Sequence, residues 1–179
     1  MHDPLLMQFP NLKSLGIPFN NLITDKFLMR LTNLIHLDIR NCKKITNDSL
    51  KYLSNLTSLT TNDRKIISSF LQSTNKLVSL DVSFTDIDDN ILLFLDKLQS
   101  LYIAGYNYIT NKNLSILTNL TTLDLSYKNE KIKKDTLKCL TKLQTLNLKN
   151  CYVSKYALIT LTNLTSLNIK DCYKIKCIS

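Results

Sequence analysis

Residues Leu34–Leu53 read LIHLDIRNCKKITNDSLKYL, and two hydrophobic periods follow one another within them. Leu34, Leu37 and Ile39 form a short alternating apolar run, which is the pattern of a strand with one buried face. The polar side chains between them would point to the opposite, open face of the sheet. This part of the sequence therefore predicts a half-buried strand.

The hydrophobic period changes after the turn around Cys42. Ile45, Leu50 and Leu53 recur at spacings of five and three residues, which fits one face of a helix or helical turn. Thr46 stands where a side-chain oxygen can cap the first turn of that helix. One unit is therefore a strand, a turn and a short helix. Such a unit is too small to bury its apolar side without a neighbour of the same kind.

The unit recurs along the whole chain with a period of 21–23 residues. A period this regular predicts stacked repeats, with drifts of one residue absorbed in the connecting loops. We expect one domain over residues 1–179, made of about eight repeats with a partial unit at each end. The repeats start at Leu12, Leu34, Leu56, Leu77, Leu98, Leu120, Leu143 and Leu164.

Repeat three departs from the pattern. Thr61 replaces the apolar residue that closes the strand, and the helical spacing in the segment IISSFLQSTNK that follows is one residue shorter. A local conflict of this kind marks either a weak joint or a functional insertion. We favour the weak joint.

The repeated pattern L-x-x-L-x-L-x-x-C-x-x-I-T-x-x-x-L-x-x-L resembles the leucine-rich repeat family over essentially the whole chain. The segments 42–46 and 151–154 resemble the cysteine-containing class found in the substrate-binding arms of F-box proteins, although these units are shorter and we find no F-box segment. The resemblance implies an α/β horseshoe solenoid with a parallel sheet on its concave face and short helices or helical turns on its convex face. It also implies a binding role without enzymatic activity.

Composition excludes several other classes of protein. The sequence has no apolar run of about 18 residues and no signal-peptide pattern at its start, which predicts an intracellular, cytoplasmic protein without a membrane span. Three of the five cysteines share one repeat position, which favours reduced, buried thiols over disulfides: Cys42, Cys151 and Cys172. The cysteines lack metal-site spacing and the two glycines form no phosphate loop, so we expect neither a metal nor a cofactor.

Polar positions of successive strands should line up in columns on the open face of the sheet. Repeats four to six place aromatic and acidic side chains in these columns, and repeats seven and eight add lysines. Aromatic anchors ringed by polar groups are the usual composition of a protein-interaction hot spot. We therefore predict that a protein partner binds this face. The predicted contact residues are Phe84, Tyr102, Tyr127, Asp81, Asp124, Lys149 and Lys170.

The basic end of the chain suggests a different kind of partner. Residues 128–179 hold 11 lysines against three acidic residues, so this segment is an alternative site for a polyanion or nucleic acid. Nucleic acid is the weaker expectation because no aromatic stacking platform accompanies the lysines.

Two further roles follow from the resemblance and from the ends of the repeat array. The chain could serve as the substrate-recognition arm of an F-box-type ubiquitin ligase adaptor that lacks its F-box. The partial units at the two ends carry no polar cap, so they could also support self-association.

Catalysis is not expected. His36 and Asp38 share the open face, and Ser14 and Ser58 should flank His36 in the neighbouring strands. A catalytic triad also needs an oriented base and an oxyanion hole, which an open ladder of small hydroxyls does not offer.

Overall fold

A computed structural model describes residues 8–73, 76–105, 108–127 and 134–172. These residues form one sheet of eight parallel strands, in which neighbours in sequence are also neighbours in space. Every strand begins two residues after a repeat start read from the sequence. The strands are β1 Ser14–Gly16, β2 His36–Asp38, β3 Ser58–Thr60, β4 Ser79–Asp81, β5 Ser100–Tyr102, β6 Thr122–Asp124, β7 Thr145–Asn147 and β8 Ser166–Asn168.

Short helices follow the strands and form the second layer. The α-helices are α1 Asp25–Leu28, α2 Asn47–Leu50, α3 Arg64–Ser73, α4 Asn111–Leu114 and α5 Lys134–Lys138, and 3₁₀ helices span Asp89–Phe94 and Lys155–Ala157. Helices of adjacent repeats contact each other. Within the described residues, no helix has the length and apolar character that a membrane span requires. The structure is therefore the predicted α/β solenoid of parallel strands and short helices.

The core lies between the sheet and the helices. The central leucine of each inner strand points into it, and Leu59, Leu80, Leu101 and Leu123 have no exposed side-chain surface. Burying one such side chain contributes roughly 1.5–3 kcal/mol, so the repeated leucine is a main source of stability. The residues that bracket each central leucine lie on the opposite side of the sheet, which we call the open face.

Adjacent repeats are also linked by the cysteines. The Sγ atoms donate to backbone carbonyls of the preceding repeat, from Cys42 to Ile17 at 3.0 Å, from Cys151 to Leu125 at 3.0 Å and from Cys172 to Leu148 at 2.8 Å. Burial raises the pKa of the Cys42 and Cys172 thiols, which keeps them protonated as donors. The repeated cysteine is thus a hydrogen-bond donor between repeats.

Asparagine side chains form a second set of links where the chain approaches each strand. The Nδ2 atoms donate to backbone carbonyls of the preceding repeat at 2.9–3.1 Å, and the pairs are Asn33 with Pro10, Asn55 with Thr32, Asn119 with Asp96 and Asn163 with Thr141. Each bond satisfies a carbonyl that neither layer uses, and such bonds contribute about 1 kcal/mol each. These four asparagines, which precede the strands, therefore have a structural role.

Repeat three replaces the usual turn and short helix by the ten-residue helix α3. The carboxylate of Asp63 accepts hydrogen bonds from the backbone N–H of Lys65 at 2.8 Å and of Ile66 at 3.3 Å, which starts the helix directly after β3. Thr61 is buried, and its hydroxyl oxygen accepts from the N–H of Asp63. The shortened spacing of the sequence is thus the spacing of a longer helix, which buries Ile66, Ile67, Phe70 and Leu71.

The long helix leaves a gap in a hydrogen-bond pattern between neighbouring helices. The Asp25 carboxylate accepts from the backbone N–H and hydroxyl of Thr46 in the next repeat, and the Asp89 carboxylate does the same with Thr110. Asn47 holds the equivalent position in repeat two, where α3 offers no such threonine. Its Oδ1 atom is buried and has no hydrogen-bond partner among the described residues. The weak joint at repeat three stays a prediction, and the unpaired Asn47 oxygen is an observation in its favour.

Candidate functional site

The turn after most strands contains one residue in the left-handed backbone conformation. These residues occupy one repeat position, which we call the left-handed column, and their φ angles lie between 58° and 91°. In repeat three Asp63 caps α3 at this position instead. The column consists of Phe19, Asn41, Phe84, Gly105, Tyr127, Asn150 and Asp171.

Asparagine, aspartate and glycine tolerate this conformation, but phenylalanine and tyrosine do not. A left-handed residue with a Cβ costs roughly 1–2 kcal/mol. Phe19 and Phe84 are 73% and 72% exposed, so their rings regain little of that cost by burial. Residues held in such conformations cluster at functional sites, where surrounding structure enforces them. The aromatic members of the column are therefore the first candidates for a binding surface.

Phe84 and Tyr127 come together across the glycine between them. They follow β4 and β6, whose backbones should be about 9–10 Å apart because one strand separates them. The ring centroids are nevertheless only 6.1 Å apart, with the planes tilted by 46°. Gly105 occupies the column between them, and a Cβ atom there would lie 2.8 Å from Cδ1 of Phe84. The missing side chain of Gly105 thus lets Phe84 lean towards Tyr127.

Lys149 extends this aromatic pair towards β7. Its Nζ atom donates a hydrogen bond to the Tyr127 hydroxyl at 2.8 Å and lies 4.9 Å from the centre of the Tyr127 ring. The hydrogen bond raises the pKa of the Lys149 ammonium, and nearby Asp171 acts in the same direction. A cation therefore already lies against one ring of the aromatic pair.

Asp81, Tyr102 and Asp124 form a row across the open face. The strand register places Tyr102 directly between the two aspartates on adjacent strands. The Oδ1 atoms of Asp81 and Asp124 accept backbone N–H groups two residues further on, from Ser83 at 3.0 Å and Ser126 at 2.8 Å. The aspartates therefore stabilise the turn that leads into the left-handed column, and they also place negative charge on the open face.

The same turn recurs in the other repeats that carry aspartate or asparagine at this place. Asp38 accepts from the N–H of Arg40, Asn147 from that of Lys149 and Asn168 from that of Lys170, each at 3.1 Å. The sequence analysis assigned Asp81 and Asp124 of this column to partner binding and missed their structural role. The signal was present, since Asp or Asn stands three residues before most members of the left-handed column.

Two further relationships complete the site. Asn147 Nδ2 donates to Asp124 Oδ2 at 2.9 Å, which links β7 to the row. Lys170 lies one strand beyond Lys149 and is exposed, and its carbonyl accepts from the N–H of Asn150. The structure thus joins Phe84, Tyr127 and Lys149 by direct contacts and places Lys170 at the end of the same face.

The sequence matches known leucine-rich repeats in two places. The family model described as a leucine-rich repeat matches residues 30–54 and 74–95. The structure is similar to that of internalin C2 from Listeria monocytogenes, with a TM-score of 0.66 and 29% identity over 93% of this chain and 74% of that one. The fold is that of a leucine-rich-repeat solenoid.

A second internalin, inlF of Listeria monocytogenes, shares the leucine-rich-repeat fold at a TM-score of 0.60 and 24% identity. The alignment covers 90% of this chain and 56% of that one. A comparison with curated protein sequences returned no match. These findings support the leucine-rich-repeat identity read from the sequence, whereas the resemblance to the F-box class stays a prediction.

The described lysines of the basic segment do not gather on one surface of the leucine-rich-repeat solenoid. Lys138 pairs with Asp135 on α5 at 3.4 Å, and Lys142 donates to Asn119 Oδ1 at 2.8 Å on the approach to β7. Lys149 and Lys170 follow strands on the open face. Residues 128–133 and 173–179 of the segment lie outside the described residues. The polyanion site therefore stays a prediction that the described lysines do not strengthen.

The serine, histidine and aspartate set near β2 does not have the geometry of a triad. Ser14, His36 and Ser58 are register partners, as expected. The Asp38 carboxylate instead accepts from Arg40 Nε at 3.0 Å and from its terminal nitrogen at 2.6 Å. The Asp38 carboxylate therefore forms an ion pair with Arg40. Leucine-rich-repeat proteins are generally not enzymes. No group of metal-ligating side chains is assembled within the described part of the chain.

Proposed function

We propose that this leucine-rich-repeat solenoid binds a segment of a protein partner on its open face. The contact centres on Phe84, Tyr102 and Tyr127, with Asp81, Asp124, Lys149 and Lys170 around them. The observation that best supports this proposal is the exposed ring of Phe84. The Phe84 backbone has an unfavourable left-handed conformation, and the ring leans over Gly105 towards Tyr127.

The free-energy cost of the left-handed conformations can be compared with the free energy that the ring contact returns. The left-handed conformations of Phe84 and Tyr127 oppose folding by about 1–2 kcal/mol each. Contact between the rings returns about 0.5–1.5 kcal/mol. Because Phe84 remains 72% exposed, most of its apolar area is available to a partner. Aromatic anchors near the centre of a surface carry most of the binding energy in protein interfaces.

The test is selection of binding peptides. A phage-displayed library of random 12-residue peptides is panned on the immobilised protein, and the Kd values of the selected peptides are measured by fluorescence anisotropy. We expect the F84A/Y127A variant to lose at least roughly 30-fold in affinity, which corresponds to a hot-spot loss of about 2 kcal/mol.

Phe19 supplies a matched control. It has the same left-handed conformation and the same exposure as Phe84, but it lies in repeat one, far from the aromatic pair. The F19A variant should bind the selected peptides within about twofold of the parent. If F84A/Y127A binds them as well as F19A does, the partner does not use this surface.

A further inference from the structure

The side chains that arise from the central part of the open face carry only negative charge, and Lys149 reaches its edge at Tyr127 from the turn after β7. This central part comprises the outward positions of β4, β5 and β6 and the turns that follow, and its other members are hydroxyl, apolar, aromatic or glycine residues. Among these described positions Asp81 and Asp124 alone are charged. This local charge of −2 contrasts with the +9 of the chain as a whole.

The column of Asp81 and Asp124 already binds a guanidinium group elsewhere in the solenoid. Asp38 holds the same place in repeat two, and Arg40 two residues later binds it through two nitrogens, at 3.0 and 2.6 Å. Ser83 and Ser126 stand at the position of Arg40 in repeats four and six. As a result, neither Asp81 nor Asp124 forms an ion pair with a described residue.

Aromatic rings surround these two carboxylates. Tyr102 lies between them in the register, and Phe84 and Tyr127 follow each aspartate by three residues. Arginine combines a bidentate bond to a carboxylate with stacking on an aromatic face, which lysine does less well. Lys149, 4.9 Å from the centre of the Tyr127 ring, shows that this surface accepts a cation against an aromatic ring.

We propose that the partner segment presents an arginine to the centre of the open face. Its guanidinium binds the carboxylate of Asp81 or Asp124, as Arg40 binds Asp38, and stacks on Tyr102. Apolar side chains of the same segment pack on Phe84 and Tyr127. This inference rests on the proposed function and adds the chemical class of residue that the site selects.

The experiment uses the peptides selected from the random 12-residue library. We expect arginine to be enriched among them relative to the unselected library. At least one of the D81N and D124N variants, according to the carboxylate that the arginine binds, should bind a selected peptide roughly 10- to 100-fold more weakly, the range for loss of a charged hydrogen-bonded pair. Changing the peptide arginine to glutamine should cause a similar loss. That loss should be small in a D81N/D124N double variant, because the pair is already broken.

We expect the substitutions to preserve the fold at these positions. Asn147 and Asn168 make the same turn with a carboxamide, so asparagine at residue 81 or 124 keeps the acceptor for the backbone N–H. The D124N substitution also changes the group that accepts the hydrogen bond of Asn147 Nδ2. The only described hydrogen bond of the Asp81 side chain is the one from the Ser83 N–H, so D81N is the simpler variant to interpret. D48N/D135N removes two exposed carboxylates from α2 and α5 and controls for net charge.

The outcomes separate this inference from the proposed function. Loss of affinity in D81N or in D124N with retention in D48N/D135N supports the arginine site. If selected peptides need Phe84 and Tyr127 but show no arginine enrichment, or bind D81N/D124N within twofold of the parent, the arginine site is wrong and the proposed function stands. If binding is independent of Phe84 and Tyr127, both are wrong.

Discussion

The Cδ1 atom of Phe84 lies 2.8 Å from the point where residue 105 would carry a Cβ atom. Gly105 also has a φ of +91°, which residues with a Cβ rarely adopt. Both facts make this glycine a requirement of the aromatic pair. The position is occupied by a side chain in every other repeat, so the opening between Phe84 and Tyr127 is a local feature of repeat five.

We expect Gly105→Ala to displace the Phe84 ring and to lower the free energy of unfolding by about 1–3 kcal/mol, through steric conflict and backbone strain. Urea denaturation measures the loss. Gly16→Ala is the control, since a Cβ there meets no atom within 4 Å and its φ is not in the left-handed region. Equal effects of the two substitutions would show that Phe84 does not depend on Gly105.

Phe19→Asn should stabilise the protein. The substitution relieves a strained phenylalanine, and asparagine occupies the same column at Asn41 and Asn150. The phenylalanine ring is 73% exposed, so little burial is lost. A gain of about 0.5–1 kcal/mol is expected, visible as a rise of a few degrees in Tm. A fall in Tm would mean that the Phe19 ring makes contacts that outweigh its backbone strain.

Asp25→Ala and Asn47→Ala test the hydrogen bonds between helices at one repeat position. Asp25 accepts from Thr46 twice and from the Ser49 hydroxyl, so its loss should cost about 2–4 kcal/mol of unfolding free energy. The Oδ1 atom of Asn47 lacks a partner among the described residues, and its removal should cost less than about 0.5 kcal/mol. Calorimetry on both variants compares the two values. A large loss at Asn47 would indicate that its side chain has a partner after all.

The buried thiols predict a pH dependence of stability. Burial raises the folded-state pKa of Cys42 and Cys172 above the unfolded value, which is about 8.5. The stability they contribute is therefore fully present below that pH and is lost as pH rises through the folded pKa. Urea midpoints from pH 7 to 10 should fall less steeply for C42A/C172A than for the parent. Parallel curves would show that these thiols do not titrate differently in the two states.

The positions of the strands could be predicted from sequence because one face of each strand is buried. The repeated leucines place every strand at the same offset from its repeat start, and Leu37 and Leu101 are buried as their spacing requires. The cap of α2 was also visible, since the Thr46 hydroxyl oxygen accepts from the N–H of Asp48. These features depend on periodicity and on short-range hydrogen bonds, which a single sequence records.

The left-handed column could not be predicted in the same way. A left-handed turn position usually holds Gly, Asn or Asp, and phenylalanine and tyrosine do not indicate one. The left-handed conformation of Phe84 and Tyr127 can be inferred only because they share a repeat position with Gly105 and Asn150. The contact of Phe84 with Tyr127 depends on a missing side chain on the strand between them. The long helix in repeat three was likewise visible only as an irregular spacing. The residue that caps its first turn is Asp63, which stands at the left-handed position of the other repeats.

The described contacts between strands and between helices join each repeat to its immediate neighbour, and the ring contact of Phe84 with Tyr127 reaches one repeat further. Stability in such a chain is a sum of terms within repeats and terms between successive repeats, as in a one-dimensional lattice. The unpaired Asn47 oxygen lies at the boundary between repeats two and three, and we expect it to weaken that nearest-neighbour term. Cooperative unfolding should therefore divide there, so that the amides of β1 and β2 exchange hydrogen with solvent before those of β4 to β7.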